Sequence, residues 1–175
     1  MLRPVGPLGL RLSVIVTTYN NPHALDLVLA GLARQSVGDY ELIVADDGSG
    51  PVTSSLISQH AARVAVPVRH LWHPDEGFRK CAISNRAILA AAGDYLVFFD
   101  GDCVPSRHCL AVHLAAARRD SYLAGGAVPL TRELGDRLTA EEVGRGRLDR
   151  LTPWSPQVGK RRRLLVSRIP VLRDW

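Results

Sequence analysis

Cysteine is scarce in this 175-residue chain: Cys81, Cys103 and Cys109 are odd in number and never two residues apart. That excludes both a disulfide framework and a thioredoxin-type redox centre, and the three read as reduced core thiols. Long apolar runs are missing as well. No stretch approaches the roughly 18 to 20 apolar residues of a membrane span, and the N-terminus lacks the basic start, apolar core and small-residue cleavage site of a secretory leader. The expected compartment is the cytoplasm. There is no internal repeat, and no Gly-x-Gly-x-x-Gly follows the first strand-like segment, which excludes a Rossmann dehydrogenase. Most of the chain also lacks an excess of either charge. Met1 to Thr131 carries 11 basic and 11 acidic residues and Arg132 to Trp175 carries 11 and 6, so the net +5 lies wholly in the tail, densest at Lys160-Arg161-Arg162-Arg163. Such a cluster reads first as a solvated charged face; as a contact surface it suits an anionic acceptor or the inner face of a membrane, and no nucleic-acid partner is expected.

What is present is a chain with 46 % hydrophobic residues, enough for one core and a partial second. Its first 130 residues alternate strand-like and helix-like segments, the signature of a parallel sheet covered by helices. Strands are expected over Leu12–Thr17, Tyr40–Ala45, Val68–Trp72, Tyr95–Phe99 and Tyr122–Val128. Between them fall helices from Asn21, as N-cap before Pro22, to about Gln35, from Val52 to Arg63, from Lys80 to Ala92, and from Pro105 to Arg118. Beyond Leu130 the pattern changes: Thr139-Ala140-Glu141-Glu142 fits a capping box, and the sequence after Leu151 is rich in Pro, Trp and Arg. A boundary is expected there, giving residues 1–130 and 131–175.

The chemistry concentrates where strands should end. Asp100-Gly101-Asp102 closes the apolar run Tyr95-Leu96-Val97-Phe98-Phe99, and Asp46-Asp47-Gly48-Ser49 closes Glu41-Leu42-Ile43-Val44-Ala45. Two carboxylates one residue apart repel each other unless a hard divalent cation sits between them, and that cation can then clamp an anionic substrate. Ligands of open α/β sheets bind beyond the carboxyl ends of the strands. His70, His73, Cys103, His108, Cys109 and His113 match no standard zinc spacing and are expected to pack.

With Thr17-Thr18-Tyr19-Asn20, Asp75-Glu76-Gly77-Phe78-Arg79, Ser84-Asn85-Arg86 and Ala92-Gly93-Asp94-Tyr95, these motifs come in the order and spacing of glycosyltransferase family 2, which the chain resembles from about Leu12 to Leu130. Asp75 to Asp102 is especially similar to the branch of chondroitin-polymerase-like and lipopolysaccharide-type sugar transferases. The resemblance implies a GT-A, Rossmann-like fold, a mostly parallel sheet with helices on both faces, truncated after the donor-binding half. It also implies transfer from a nucleotide-diphosphate sugar, expected to be UDP-linked, to a saccharide or lipid-linked saccharide, with Mn²⁺ or Mg²⁺ as cofactor. Carried over residue by residue, Thr17, Tyr19 and Asn20 would line the base pocket, Asp46 would accept from the uracil imide N–H, and Asp47 would lie near the ribose. Arg79 would reach the base or diphosphate, and Asn85 and Gly101 would complete the donor site. Asp100 would bind the ribose or a metal-bound water, and Asp102 would be the direct metal ligand.

The family's catalytic base is an acidic residue further downstream. No counterpart is identifiable: Glu133, Glu141 and Glu142 are the only late glutamates, and none lies in a matching context. The resemblance therefore implies that the acceptor half is cut short, leaving a nucleotide-sugar-binding fragment as the alternative. Asp100-Gly101-Asp102-Cys103-Val104 also matches the nucleophile loop of haloacid-dehalogenase-type phosphatases, but that loop follows the first strand of its domain, and here three strand-like segments come before its own.

Overall fold

The computed structural model describes residues 11–118, 120–151 and 155–158. Strands β1 (Leu12–Thr18), β2 (Tyr40–Asp46), β3 (Val68–Trp72) and β4 (Tyr95–Asp100) form a parallel sheet in the order β3-β2-β1-β4. Helices α1 (Pro22–Ala33), α2 (Pro51–Ala61) and α3 (Lys80–Ala90) make the crossovers, followed by α4 (Cys109–Ala116), α5 (Arg132–Arg137), α6 (Ala140–Gly144) and a 3-10 turn at Arg147–Arg150.

Alternation along the strands sorts the core into two layers. Leu12, Val14 and Val16 of β1 and Leu42 and Val44 of β2 face one way, into a cluster with Leu25, Val28, Leu29 and Leu32 of α1, Ile57 of α2 and Leu110 and Leu114 of α4. Ile15, Ile43 and Ala45 face the other way, against Ile83 and Ala87 of α3. β1 and β2 are buried along their whole length, which is why they read as continuous apolar runs, as strands of a covered parallel sheet do. A third cluster, Leu27, Leu134, Leu138 and Val143, packs α5 and α6 on the outer side of α1.

The caps form as their residues dictate. Asn21 accepts from Ala24 N at 3.1 Å ahead of Pro22, and Thr139 and Glu142 make the reciprocal capping box at α6. One buried polar group ties the layers together. Glu41 accepts from Ser13 Oγ at 2.5 Å, Ala92 N at 2.6 Å and Arg69 Nη2 at 2.9 Å, while Gly93 N donates to Ser13 Oγ at 2.8 Å. The end of α3 and the start of β4 are thereby fastened to β1 and β2.

Three expectations need correcting. Residues 122–128 are not a strand: they are exposed and without regular structure, as suits a segment broken by Gly125-Gly126 that has no buried face. Among the described residues β4 is consequently an edge strand, with Phe98 48 % exposed. The fourth helix begins at Cys109 rather than Pro105, because the preceding loop is held by the end of α1. Gln35 Nε2 donates to Ser106 O at 2.7 Å, Ser36 N donates to Arg107 O at 2.9 Å, and Leu110 N donates to Gln35 Oε1 at 3.1 Å. The cysteines are free, but they are not core thiols: Cys81 is exposed and Cys103 and Cys109 are half-buried. No helix among the described residues is long and apolar enough to cross a membrane.

Candidate functional site

The carboxyl ends of β1, β2 and β4 finish at the same level, because the parallel register pairs Thr18 with Asp46 and Thr17 with Asp100. Two glycines allow the loops that follow to close up. Gly48 has φ +101°, and a Cβ there would lie 2.6 Å from Asp75 Cα; at Gly101 it would lie 2.7 Å from the Thr17 carbonyl oxygen. Only a residue without a side chain fits either place. The result is a cleft of about 300 Å³ lined by Thr17–Tyr19, Asn21, Asp47, Phe78, Lys80 and Asp100–Asp102. A larger hollow of about 1420 Å³ runs along the free edge of β4 and shares Asn21, Asp100 and Asp102 with the cleft.

Of the residues expected from sequence, Thr17, Tyr19, Asp47, Asp100, Gly101 and Asp102 meet in this cleft. Four others do not line it. Asp46 is fully buried beneath it, with Oδ1 accepting from Ser49 N at 2.8 Å and Oδ2 2.9 Å from His70 Nε2. Burial opposes its ionisation, but the bonds from His70 and Ser49 outweigh that and hold its pKa below the usual aspartate value. A base cannot reach a carboxylate so enclosed. Asn20, held in the left-handed region at φ 44°, turns its side chain away to accept from Gly50 N at 3.1 Å, while its own N–H donates to Ser49 Oγ at 2.9 Å. The Arg79 guanidinium pairs with Glu76, and its contribution to the site is a backbone N–H donated to Asp47 Oδ2 at 3.0 Å. Asn85 is exposed on α3.

Sequence reasoning missed three side chains. His73 Nε2 lies 2.7 Å from Asp47 Oδ1, and since an ionised carboxylate only accepts, both His70 and His73 must present an N–H there. Each histidine thus fixes one member of the Asp46-Asp47 pair, where the sequence suggested packing alone. The signal was available in strand order: β2 and β3 are parallel neighbours with Asp46 opposite Trp72, which brings His73 beside Asp47. The third is Lys80, whose ammonium pairs with Asp100. Tyr19 Oη donates to Asp75 Oδ2 at 2.8 Å, a bond that raises the phenol pKa and fixes the ring at the cleft.

Donor chemistry tests whether a metal suits this place. Ligand atoms of Asp100, Asp102 and Cys103 lie within 4.8 Å of one another. Burial, then the neighbouring Asp102 charge, pushes the Cys103 thiol pKa up, and sulfur is a soft donor that suits a hard divalent cation poorly. Two exposed carboxylates remain, oxygen donors of the kind that hold Mg²⁺ or Mn²⁺. Glu133, Glu141 and Glu142 are engaged locally with Arg137, Arg145 and Arg147 and line neither the cleft nor the hollow.

A four-stranded parallel sheet with helices on both faces and an acidic cleft at its carboxyl edge is a fold of the GT-A class. Residues 13–159 match the family model described as Glycosyl transferase family 2, and the chain belongs to that family. It is 32 % identical over 96 residues to a chondroitin synthase of Escherichia coli, covering 54 % of this chain and 14 % of that protein. It is 33 % identical over 91 residues to a validoxylamine A glucosyltransferase of Streptomyces hygroscopicus subsp. jinggangensis, covering 51 % and 21 %. Among solved structures it superposes on S. aureus TarS 1-349 in complex with UDP-GlcNAc with TM-score 0.50 at 28 % identity, covering 58 % of this chain and 29 % of that one. On the mannosyltransferase PcManGT from Pyrobaculum calidifontis in complex with GDP-Man and Mn²⁺ the values are 0.51 and 26 %, covering 61 % and 31 %. The chain thus spans well under half the length of these relatives.

Proposed function

We propose that the chain is the donor-binding part of a metal-dependent glycosyltransferase that moves a sugar from a UDP-linked donor to a saccharide or lipid-linked saccharide of the cell envelope. The observation that carries this reading is the convergence of Thr17, Tyr19, Asp47, Asp100 and Asp102 on one cleft at three strand ends. Tyr19 and Thr17 wall the base. Asp47, oriented by His73 and the Arg79 N–H, still has free lone pairs with which to accept from the base or ribose. Asp100 faces the ribose or a metal-bound water, and Gly101 lets the donor lie close to the backbone. Asp102, which has no ion-pair partner among the described residues, is the ligand of Mn²⁺ or Mg²⁺. When bound there, the cation supplies charge to stabilise the departing nucleoside diphosphate.

The acceptor is placed on the side of Asp100 and Asp102 that opens onto the larger hollow, and residues 131–175 are read as part of the acceptor side. The general base is assigned to no residue described here. UDP-GlcNAc bound in one structural neighbour and GDP-Man in another set the test: calorimetric titration of UDP and of GDP with and without Mn²⁺, paired with a transfer assay. UDP binding that requires Mn²⁺ is expected; no nucleotide binding in any combination sinks the proposal, and binding without turnover marks a donor-binding module. Lys160–Arg163 lie outside the described residues. We assign them to an anionic acceptor or membrane surface; replacing all four with Gln should weaken binding to phosphatidylglycerol vesicles or acceptor saccharide, and unchanged binding to both removes that assignment.

A further inference from the structure

Among the described residues Lys80 is the one cationic side chain lining a cleft that also presents the carboxylates of Asp47, Asp100 and Asp102. Its ammonium rests on Asp100 Oδ1, the oxygen that also accepts from Thr17 Oγ1 at 3.3 Å. The neighbouring Arg79 cannot take this part, since its guanidinium is turned to Glu76. Both members of the Lys80–Asp100 pair are well exposed, 40 % and 59 %, and an exposed pair of this kind is held only weakly. It is easily exchanged. An ammonium and a divalent cation compete for the same carboxylate, because like charges exclude each other at one oxygen. Once Asp100 is engaged elsewhere, Lys80 is left as a positive charge on the cleft wall, and lysine on its flexible stem is a good point-charge partner for phosphate.

We infer that Lys80 is a donor-binding residue with two positions: it holds Asp100 in the donor-free protein and turns to the diphosphate of the nucleotide in the loaded one. The inference rests on the reading of the cleft as a nucleotide-sugar site. Its consequence is a coupling between the two ligands. In the absence of nucleotide Lys80 opposes metal binding, and in the presence of both it favours them, so each ligand promotes the other by more than direct contact provides.

The experiment compares the full chain with Lys80→Met, Lys80→Arg and Asp102→Asn, measuring Mn²⁺ alone by electron paramagnetic resonance and UDP at saturating Mn²⁺ by calorimetry. Lys80→Met is expected to bind Mn²⁺ alone about threefold tighter, the gain from removing an exposed competing charge. The same variant is expected to bind UDP about tenfold or more weakly, the loss of one charge-assisted phosphate contact. Lys80→Arg should stay near the parent in both. A Lys80→Met variant that leaves both affinities within about twofold, or weakens both together as a merely structural residue would, overturns the inference. In that case loss of Mn²⁺-dependent UDP binding in Asp102→Asn still upholds the donor site. If the parent protein itself shows no Mn²⁺-dependent UDP binding, the donor site and the role of Lys80 fall together.

Discussion

Asp102→Ala is expected to abolish Mn²⁺-dependent UDP binding, a loss of more than about a hundredfold, while the thermal midpoint stays within about 2 °C of the parent. Two observations separate the effects. Asp102 is exposed, with no ion-pair partner among the described residues and only a 3.6 Å contact from Cys103 Sγ, so its removal leaves no group buried and unpaired and relieves repulsion from Asp100. Surface replacements of that kind change stability by about half a kcal/mol or less. Binding should respond far more. One of the two clustered carboxylates suited to the cation among the described residues disappears, and cation contacts to phosphoryl oxygens are worth several kcal/mol. Calorimetry with and without Mn²⁺ reads the first effect and a melting curve the second. Undiminished metal-dependent affinity would remove Asp102 from the site, and a large fall in midpoint would make it a structural residue.

Glu41→Ala should do the reverse, costing about 2 to 3 kcal/mol of stability, the usual result of removing a buried acceptor and leaving its donors unpaired. For a chain of this length that lowers the midpoint by about 10 °C. The replacement strands the fully buried Ser13 hydroxyl and the part-buried Ala92 N–H, whereas the Arg69 guanidinium, 43 % exposed, keeps its bond to Ala90 O. The effect also carries a pH signature. Burial raises the Glu41 pKa, but the bonds from Ser13, Ala92 N and Arg69 together outweigh it and leave the net value below the ordinary glutamate range. A carboxyl whose folded pKa lies below its unfolded value of about 4.3 stabilises the fold above that pH and loses the contribution as pH falls through the folded value. The stability gap between the parent and Glu41→Gln should therefore be full near pH 6 and shrink steadily below about pH 4. Denaturant titrations from pH 3 to pH 7 measure it, and a gap constant across that range would show that charge plays no part.

Much of the frame was legible in the chain itself. The apolar runs of β1 and β2, Asn21 before Pro22, and Thr139 with Glu142 each specify their element through neighbours one to four residues away, and each formed where expected. The parallel sheet followed from strand and helix alternation, and with it the convergence of strand ends carrying Asp47, Asp100 and Asp102. The limits appear where a residue's partner is distant along the chain. Tyr122–Val128 has strand-like residues, but a strand needs a neighbour and a buried face, and around Gly125-Gly126 it has neither.

Asp46 and Asp47 are adjacent and chemically identical, and no local pattern tells them apart. The register that sets Asp46 opposite Trp72 lets His70 reach Asp46 and brings His73 to Asp47; it encloses Asp46 completely and leaves Asp47, itself only 4 % exposed, lining the cleft. Lys80 reads as one more charge beginning a helix until α3 packs with its first turn against the end of β4, twenty residues on, and its ammonium meets Asp100. The sequence by itself determined which segments become strands and helices and which acidic motifs stand at their ends, because hydrophobic period and capping are short-range properties. Only the tertiary structure decided which of those acids face a ligand, which are spent on a histidine, and which cation waits beside them, because hydrogen-bond pairing and burial depend on how strands and helices align across the sheet.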